Sequence, residues 1–266
     1  MPRARVNGID VYYERRGRGQ RLLFLNGSGG TLRRSAPDIA AFAEHFDVVA
    51  HDQRGLGQTE IPPGPYTMAE YALDATALLD HVGWDTCRVI GISFGGMVAQ
   101  ELAVTWPERV ERLALLCTSP GGPVHASYPL HELMDLPHDE RAPIALALLD
   151  ERFTPDWLDT HPEDQQLVAR LVAHALQPQA AEQVRGEREQ LFARRDHDVC
   201  ARLGAVTCPT FVACGRYDGI APIGNGSAIV ELIGGAELHV YDAGHAFLNA
   251  CTEAFTDVRD FLLRAS

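Results

Sequence analysis

The chain reads as an α/β fold, a mostly parallel central sheet flanked by helices with a helical cap inserted late in the sheet. Three observations predict it. Short, continuous apolar runs recur at residues 22–25, 47–50, 87–92 and 113–117, the pattern of strands buried on both faces. Helix-like segments at 36–44, 68–81 and 97–104 separate them, implying right-handed β-α-β crossovers into a parallel sheet. Strand signals then vanish from about 121 to 200, where acidic, Pro-punctuated, helical sequence takes over, and return at 209–214 and 236–241.

Taken in order, residues 5–14 form two β-rich pieces around Asn7-Gly8, the strongest short-range hairpin signal. Antiparallel strands therefore open the fold. The run at 87–92 leads through Ser93 into a helix that stops near Trp106-Pro107, where proline disfavours continuation. Further helices are expected at 144–149, 165–176 and 180–194, and a last one at 251–263. The organisation that follows is a core of residues 1–120 and 201–266 with residues 121–200 as cap.

Composition narrows the function classes. With 266 residues, 46% hydrophobic and 22% charged, the chain is long enough for a substantial core and is neither disordered nor fibrous. A formal net charge of −13 argues against nucleic acid or an anionic membrane as partner and softly favours neutral or cationic substrates. The first residues hold no apolar leader, and no run approaches a membrane span of about 20 residues, so the expected location is cytoplasmic. Six cysteines are scattered without C-x-x-C pairs and are expected to be free thiols. Monomer and homo-oligomer are equally open.

The chemistry centres on Gly91-Ile92-Ser93-Phe94-Gly95. A serine on a sharp strand-to-helix turn stands clear of the sheet, and the flanking glycines let neighbouring elements approach. A hydroxyl is nearly unreactive at neutral pH, so a nucleophilic Ser93 requires a base, and the base an orienting carboxylate. Asp218 follows the strand ending at Cys214, and His245 follows the strand ending at Tyr241. Both sit where parallel sheets place their ligands, at the carboxyl ends of strands.

Together with Asn26-Gly27-Ser28-Gly29-Gly30 and Asp52-Gln53-Arg54-Gly55-Leu56-Gly57, these motifs resemble the α/β-hydrolase superfamily, in its serine esterase and enol-lactonase-like branch. The resemblance implies Ser93 as nucleophile, His245 as general base and acid, and Asp218 as the carboxylate orienting the imidazole. It implies an oxyanion hole from the backbone N–H groups of Ser28 and Phe94. Asn26 stands where relatives usually carry His, so the hydrogen bonds pinning that turn must differ. Ala246 stands where hydrolases of carbon–carbon bonds carry Trp, and a serine at the elbow separates the chain from the Asp-bearing dehalogenases and epoxide hydrolases.

The implied activity is cleavage of a small-molecule carboxylic ester or lactone through an acyl-enzyme, with no cofactor and no metal. The alternatives are carbon–carbon hydrolysis of a ring-fission diketone, perhydrolase or haloperoxidase-like activity, and ligand capture by a non-catalytic receptor. Asp242 is read as a turn-forming residue, and Asp52 and Arg54 as loop-ordering ones. His125, His131 and His138 with Asp135 and Asp139 fit no ligand spacing. Asn26, Met134 and Trp157 are the expected pocket residues, with Leu133, Phe153 and Leu158 as further apolar candidates for its roof.

Overall fold

The computed structural model describes residues 2–175 and 180–265, with the side chains of 138, 139 and 171–175 outside the description. Its strands are β1 (Arg3–Val6), β2 (Ile9–Gly17), β3 (Gln20–Leu25), β4 (Phe46–His51), β5 (Cys87–Ile92), β6 (Val110–Leu116), β7 (Thr210–Gly215) and β8 (Glu237–Tyr241). They form one 8-stranded sheet in the order β1-β2-β4-β3-β5-β6-β7-β8. The first two pairings, β1 with β2 and β2 with β4, are antiparallel, and every later one is parallel. Asn7 and Gly8 both take positive φ, 46° and 79°, as a two-residue primed hairpin turn requires.

Helices α1 (Ala36–Ala43), α2 (Met68–His81) and α3 (Phe94–Thr105) follow β3, β4 and β5. The start of α2 is fixed by a capping box: Thr67 accepts the Glu70 N–H, and the Glu70 carboxylate accepts the Thr67 N–H, satisfying two N-terminal donors reciprocally. One face of the sheet packs Leu23, Val49 and Val89 against α2 and α3, including Tyr71, Leu78 and Val98. The other packs Phe24, Ile90 and Phe211 against Phe42, Val258 and Phe261. Burial on both faces explains why β3 to β7 read as continuous apolar runs.

Between β6 and β7, which are neighbours in the sheet, the chain runs through α4 (Gly122–His125), α5 (His138–Leu149), α6 (Pro155–Thr160), α7 (Pro162–Ala175) and α8 (Ala181–Arg195). Two details differ from expectation. α5 begins six residues before 144 and carries Pro143 inside it, past the N-terminal positions where a proline costs least. α6 is a separate short helix, started by the Thr154 hydroxyl accepting the Trp157 N–H. After β7 come α9 (Ile223–Leu232), then α10 (Phe247–Ala250) and α11 (Thr252–Leu263).

Candidate active site

β5 lies between β3 and β6, and Ser93 follows it at φ 54°, ψ −114°. A non-glycine residue there costs about 1–3 kcal/mol and persists only where its surroundings over-determine it. They do so here: the Ser93 N–H donates to the Leu116 carbonyl at 2.8 Å, and the Thr118 hydroxyl donates to the Ser93 carbonyl at 2.8 Å. The flanking glycines are required by close approach. A Cβ at Gly91 would stand 2.4 Å from the Gly95 carbonyl oxygen, and one at Gly95 would stand 2.1 Å from the Leu25 carbonyl oxygen. Ser93 also occupies the N-cap of α3 without using its side chain there. Serine is a preferred cap because its oxygen accepts an N–H of the first turn, so the turn leaves this hydroxyl for other work.

β7 and β8 pair in register up to Gly215 and Tyr241, which brings their following loops together. His245 Nδ1 stands 2.7 Å from Asp218 Oδ2, with the Asp218 side chain fully buried and His245 13% exposed. Asp218 Oδ1 accepts the N–H groups of Ile220 and Ala221 at 2.8 and 2.9 Å, so the buried charge meets three donors. Both loops are clamped by α5, whose last carbonyls lack helical partners: Gly219 N–H donates to Leu148 O, and His245 N–H donates to Leu149 O. Asp242 is unlike Asp218. Its side chain is 74% exposed and faces Arg216 and Arg152 at 3.5 and 3.9 Å. Cys117 is buried near Asp218, and burial together with the charge of Asp218 pushes its thiol well above the usual pKa.

The loop after β3 lies against the elbow, a Cβ at Gly27 falling 3.4 Å from the Ser93 Cβ. Asn26 is nearly buried; its side-chain oxygen accepts the Ser35 hydroxyl, and its carbonyl accepts Gln53 Nε2 at 2.8 Å. These are the bonds that pin the turn in place of a histidine. Among the described residues the N–H groups of Ser28 and Phe94 donate to nothing. Phe94 begins α3, where N–H groups have no intrahelical acceptor and the helix dipole favours negative charge.

Asp52 and Arg54 are loop-ordering residues. Asp52 accepts the N–H groups of Leu32 and Gln58, while Arg54 pairs with Asp74 and Glu70. Of the expected pocket residues, Trp157 is engaged within the inserted segment: its ring stacks on His161 with centroids 3.7 Å apart, and its Nε1 donates to Asp164. Met134 is half-buried, and its neighbour Leu133 instead packs with Leu148 and Ile220, beside Asp218. Phe153 lines a small cavity next to Ala246.

Three residues of α8 escape sequence reasoning. Gly186, Gln190 and Arg194 recur every four residues on one face of α8 and are buried. Gly186 permits contact, since a Cβ there would stand 1.9 Å from the Gly55 carbonyl oxygen. One turn on, Gln190 Oε1 accepts the Gly29 N–H at 2.8 Å. One turn further, Arg194 Nη1 donates to the Tyr128 carbonyl at 2.6 Å. The available signal is Gly186 itself, because glycine inside a helix costs about 1 kcal/mol against alanine and often marks a close approach.

The model of the alpha/beta hydrolase fold matches residues 20–248. The chain belongs to this family. Among curated proteins, the hydrolase is 29% identical to 3-oxoadipate enol-lactonase 2 of Acinetobacter baylyi over 84% of this chain and 81% of that one. It is 29% identical to a poly(3-hydroxyalkanoate) depolymerase of Ectopseudomonas oleovorans over 89% of this chain and 82% of that one. Among solved structures, the enol-lactonase of Burkholderia xenovorans superposes with a TM-score of 0.81 at 27% identity, covering 99% of this chain and all of the other.

Around the site the α/β hydrolase buries further titratable groups. Burial lowers the pKa values of His51 and His197 to about 4, so both imidazoles are neutral. The six cysteines are free, and burial raises Cys87 and Cys214 to about 12. Among the described residues no three His, Cys, Asp or Glu gather as metal ligands; the side chains of His138 and Asp139 lie outside the described residues. No described helix is long and apolar enough to cross a membrane.

Proposed function

We propose that the protein is a serine hydrolase of small carboxylic esters or lactones, working through an acyl-enzyme on Ser93, with residues 121–200 as a cap over the core of 1–120 and 201–266. The observation that carries the reading is the buried Asp218–His245 pair at 2.7 Å, in loops that leave the same end of the parallel sheet as a strained serine whose hydroxyl does not cap its own helix. Asp218 holds the proton on Nδ1, which leaves Nε2 as the base. Ser93 Oγ attacks the carbonyl carbon as its proton passes to Nε2. The oxyanion is met by the N–H groups of Ser28 and Phe94. His245 then returns the proton to the departing alkoxide or enolate, leaving the acyl group on Ser93, and water activated by the same imidazole releases the acid.

Similarity to an enol-lactonase along almost the whole chain favours lactones within this class. The test compares hydrolysis of a short-chain p-nitrophenyl ester and of a five-membered enol-lactone by the wild-type and Ser93→Ala proteins. Loss of at least about 10³-fold in kcat in the variant is expected. Equal rates of turnover would overturn Ser93 as the nucleophile, and no turnover by the wild-type protein would return the fold to a binding role.

A further inference from the structure

We propose that Arg194 forms an anion subsite beside the nucleophile, which selects substrates carrying a second carboxylate on the acyl part. The proposal deepens the serine-hydrolase reading and rests on it for the word substrate. Arg194 is 5% exposed, yet among the described residues no carboxylate lies within ion-pair distance of it. Its one described side-chain hydrogen bond runs from Nη1 to a backbone carbonyl, and Nε is buried with no partner. A buried cation with no ion-pair partner is costly, and where it lines a cavity it is a candidate functional group. A guanidinium with free donors matches the oxygens of a carboxylate or phosphate, and the carboxylate is the smaller of the two.

The place supports the assignment. Arg194 lines a cavity of about 70 Å³ together with Met97, Ser119 and His197. Met97 lies on the first turn of α3 after Ser93, and Thr118, next to Ser119, holds the Ser93 carbonyl. Since about 10–15 Å³ of such space admits one water-sized group, there is room for a carboxylate and one or two carbons. His197, whose two ring nitrogens have no partner, stays neutral and supplies one further N–H donor. Of the carboxylates that act on His197, Glu101 and Asp198, Glu101 is paired with Arg202 and Asp198 accepts the Cys200 N–H. Asp218 is the charged group whose field supports the Arg194 cation, and its own charge is already met by two N–H groups and His245. Arg195 is committed to Asp196. The net charge of −13 repels anions at long range, so a preference for one must come from a local site.

The test uses a nearly isosteric pair, monoethyl glutarate and ethyl 5-methylhexanoate, followed by pH-stat. Wild-type kcat/KM is expected to favour the anionic ester by more than about tenfold, and Arg194→Met to lower that ratio about 10- to 100-fold, mainly through KM, with Arg194→Lys in between. Calorimetric binding of glutarate to the Ser93→Ala protein, and to Arg194→Lys should the Met variant fail to fold, reads the subsite without chemistry. Millimolar or tighter binding that weakens with the Arg194 substitutions supports it. A ratio at or below one in the wild-type protein, or no glutarate binding, overturns the subsite. Ester hydrolysis that survives in Ser93→Ala overturns the nucleophile and leaves the binding result standing.

Discussion

Replacing Asp218 by Asn tests the orientation of the imidazole, because the two carboxylate oxygens have separate partners. Oδ1 accepts the Ile220 and Ala221 N–H groups at 2.8 and 2.9 Å, and Oδ2 faces His245 Nδ1 at 2.7 Å. An amide has one acceptor atom. The two fixed N–H donors hold that oxygen where Oδ1 stood, which turns the NH₂ toward His245. Nδ1 must then accept, the ring proton moves to Nε2, and the nitrogen required as base is blocked. The buried carboxylate that would face the imidazolium is lost as well. The expected fall in kcat is about 10³- to 10⁴-fold, or about 4–5.5 kcal/mol in the barrier at 1.36 kcal/mol per tenfold. Asp242→Asn makes the same charge change on a side chain that is 74% exposed, with arginines at 3.5 and 3.9 Å, where a pair contributes less than about 1 kcal/mol. It should alter kcat less than about twofold. Both variants are assayed on one short ester, with melting curves to confirm folding. A larger loss from Asp242→Asn, or a loss below tenfold from Asp218→Asn in a folded protein, would refute the reasoning.

Two further outcomes concern stability. His51 and His197 have folded pKa values near 4, below the ordinary 6.5, so the unfolded chain binds more protons between these values and stability falls as pH drops from about 6.5 toward 4. The slope is at most about 1.4 kcal/mol per pH unit for each histidine, and a His51→Asn protein should show a shallower loss of Tm across that window. Arg202 forms a two-pronged bond with Glu101 on α3, at 2.8 and 2.7 Å, with the Glu101 side chain 8% exposed. Arg202→Met should cost about 2 kcal/mol, less than a fully buried pair because Arg202 reaches solvent, and lower Tm by about 4–8 °C. Adding Glu101→Gln should restore much of the loss.

How much of this could be read from the chain follows from what each signal depends on. β3 to β7 were legible because a strand covered on both faces must be apolar throughout, and that also located the turn at Ser93 directly after β5 and the loops carrying Asp218 and His245 after β7 and β8. β2 runs past the expected end at Glu14 to Gly17, because Arg15 and Arg16 continue the antiparallel pairing with Val49 and Val48 on β4. Of the inserted helices, α5, α7 and α8 were legible as helices and the short α4 and α6 were not, and none of their contacts was. In α8, Arg185, Arg188, Arg194 and Arg195 look alike as charges on a polar helix. Arg188 reaches Asp135, Arg195 reaches Asp196, and Arg185 reaches the Ile61 and Pro62 carbonyls. Arg194 instead lies on the buried face of α8 with Gly186, packed on Gly55, and Gln190, bonded to the Gly29 N–H. Trp157 invited a pocket role by its size, yet its stacking on His161 and bond to Asp164 depend on how α6 and α7 meet, which no local pattern specifies.

The central claim, that Ser93 is the nucleophile served by His245 and Asp218, is tested most directly by mapping a covalent adduct. A fluorophosphonate reacts only with a serine activated by its base, so intact-mass analysis should show one adduct per chain and peptide mapping should place it on Ser93. Ser93→Ala and Asp218→Asn should suppress labelling. An adduct on any other residue, or full loss of ester hydrolysis with Ser93 unmodified, would contradict the account.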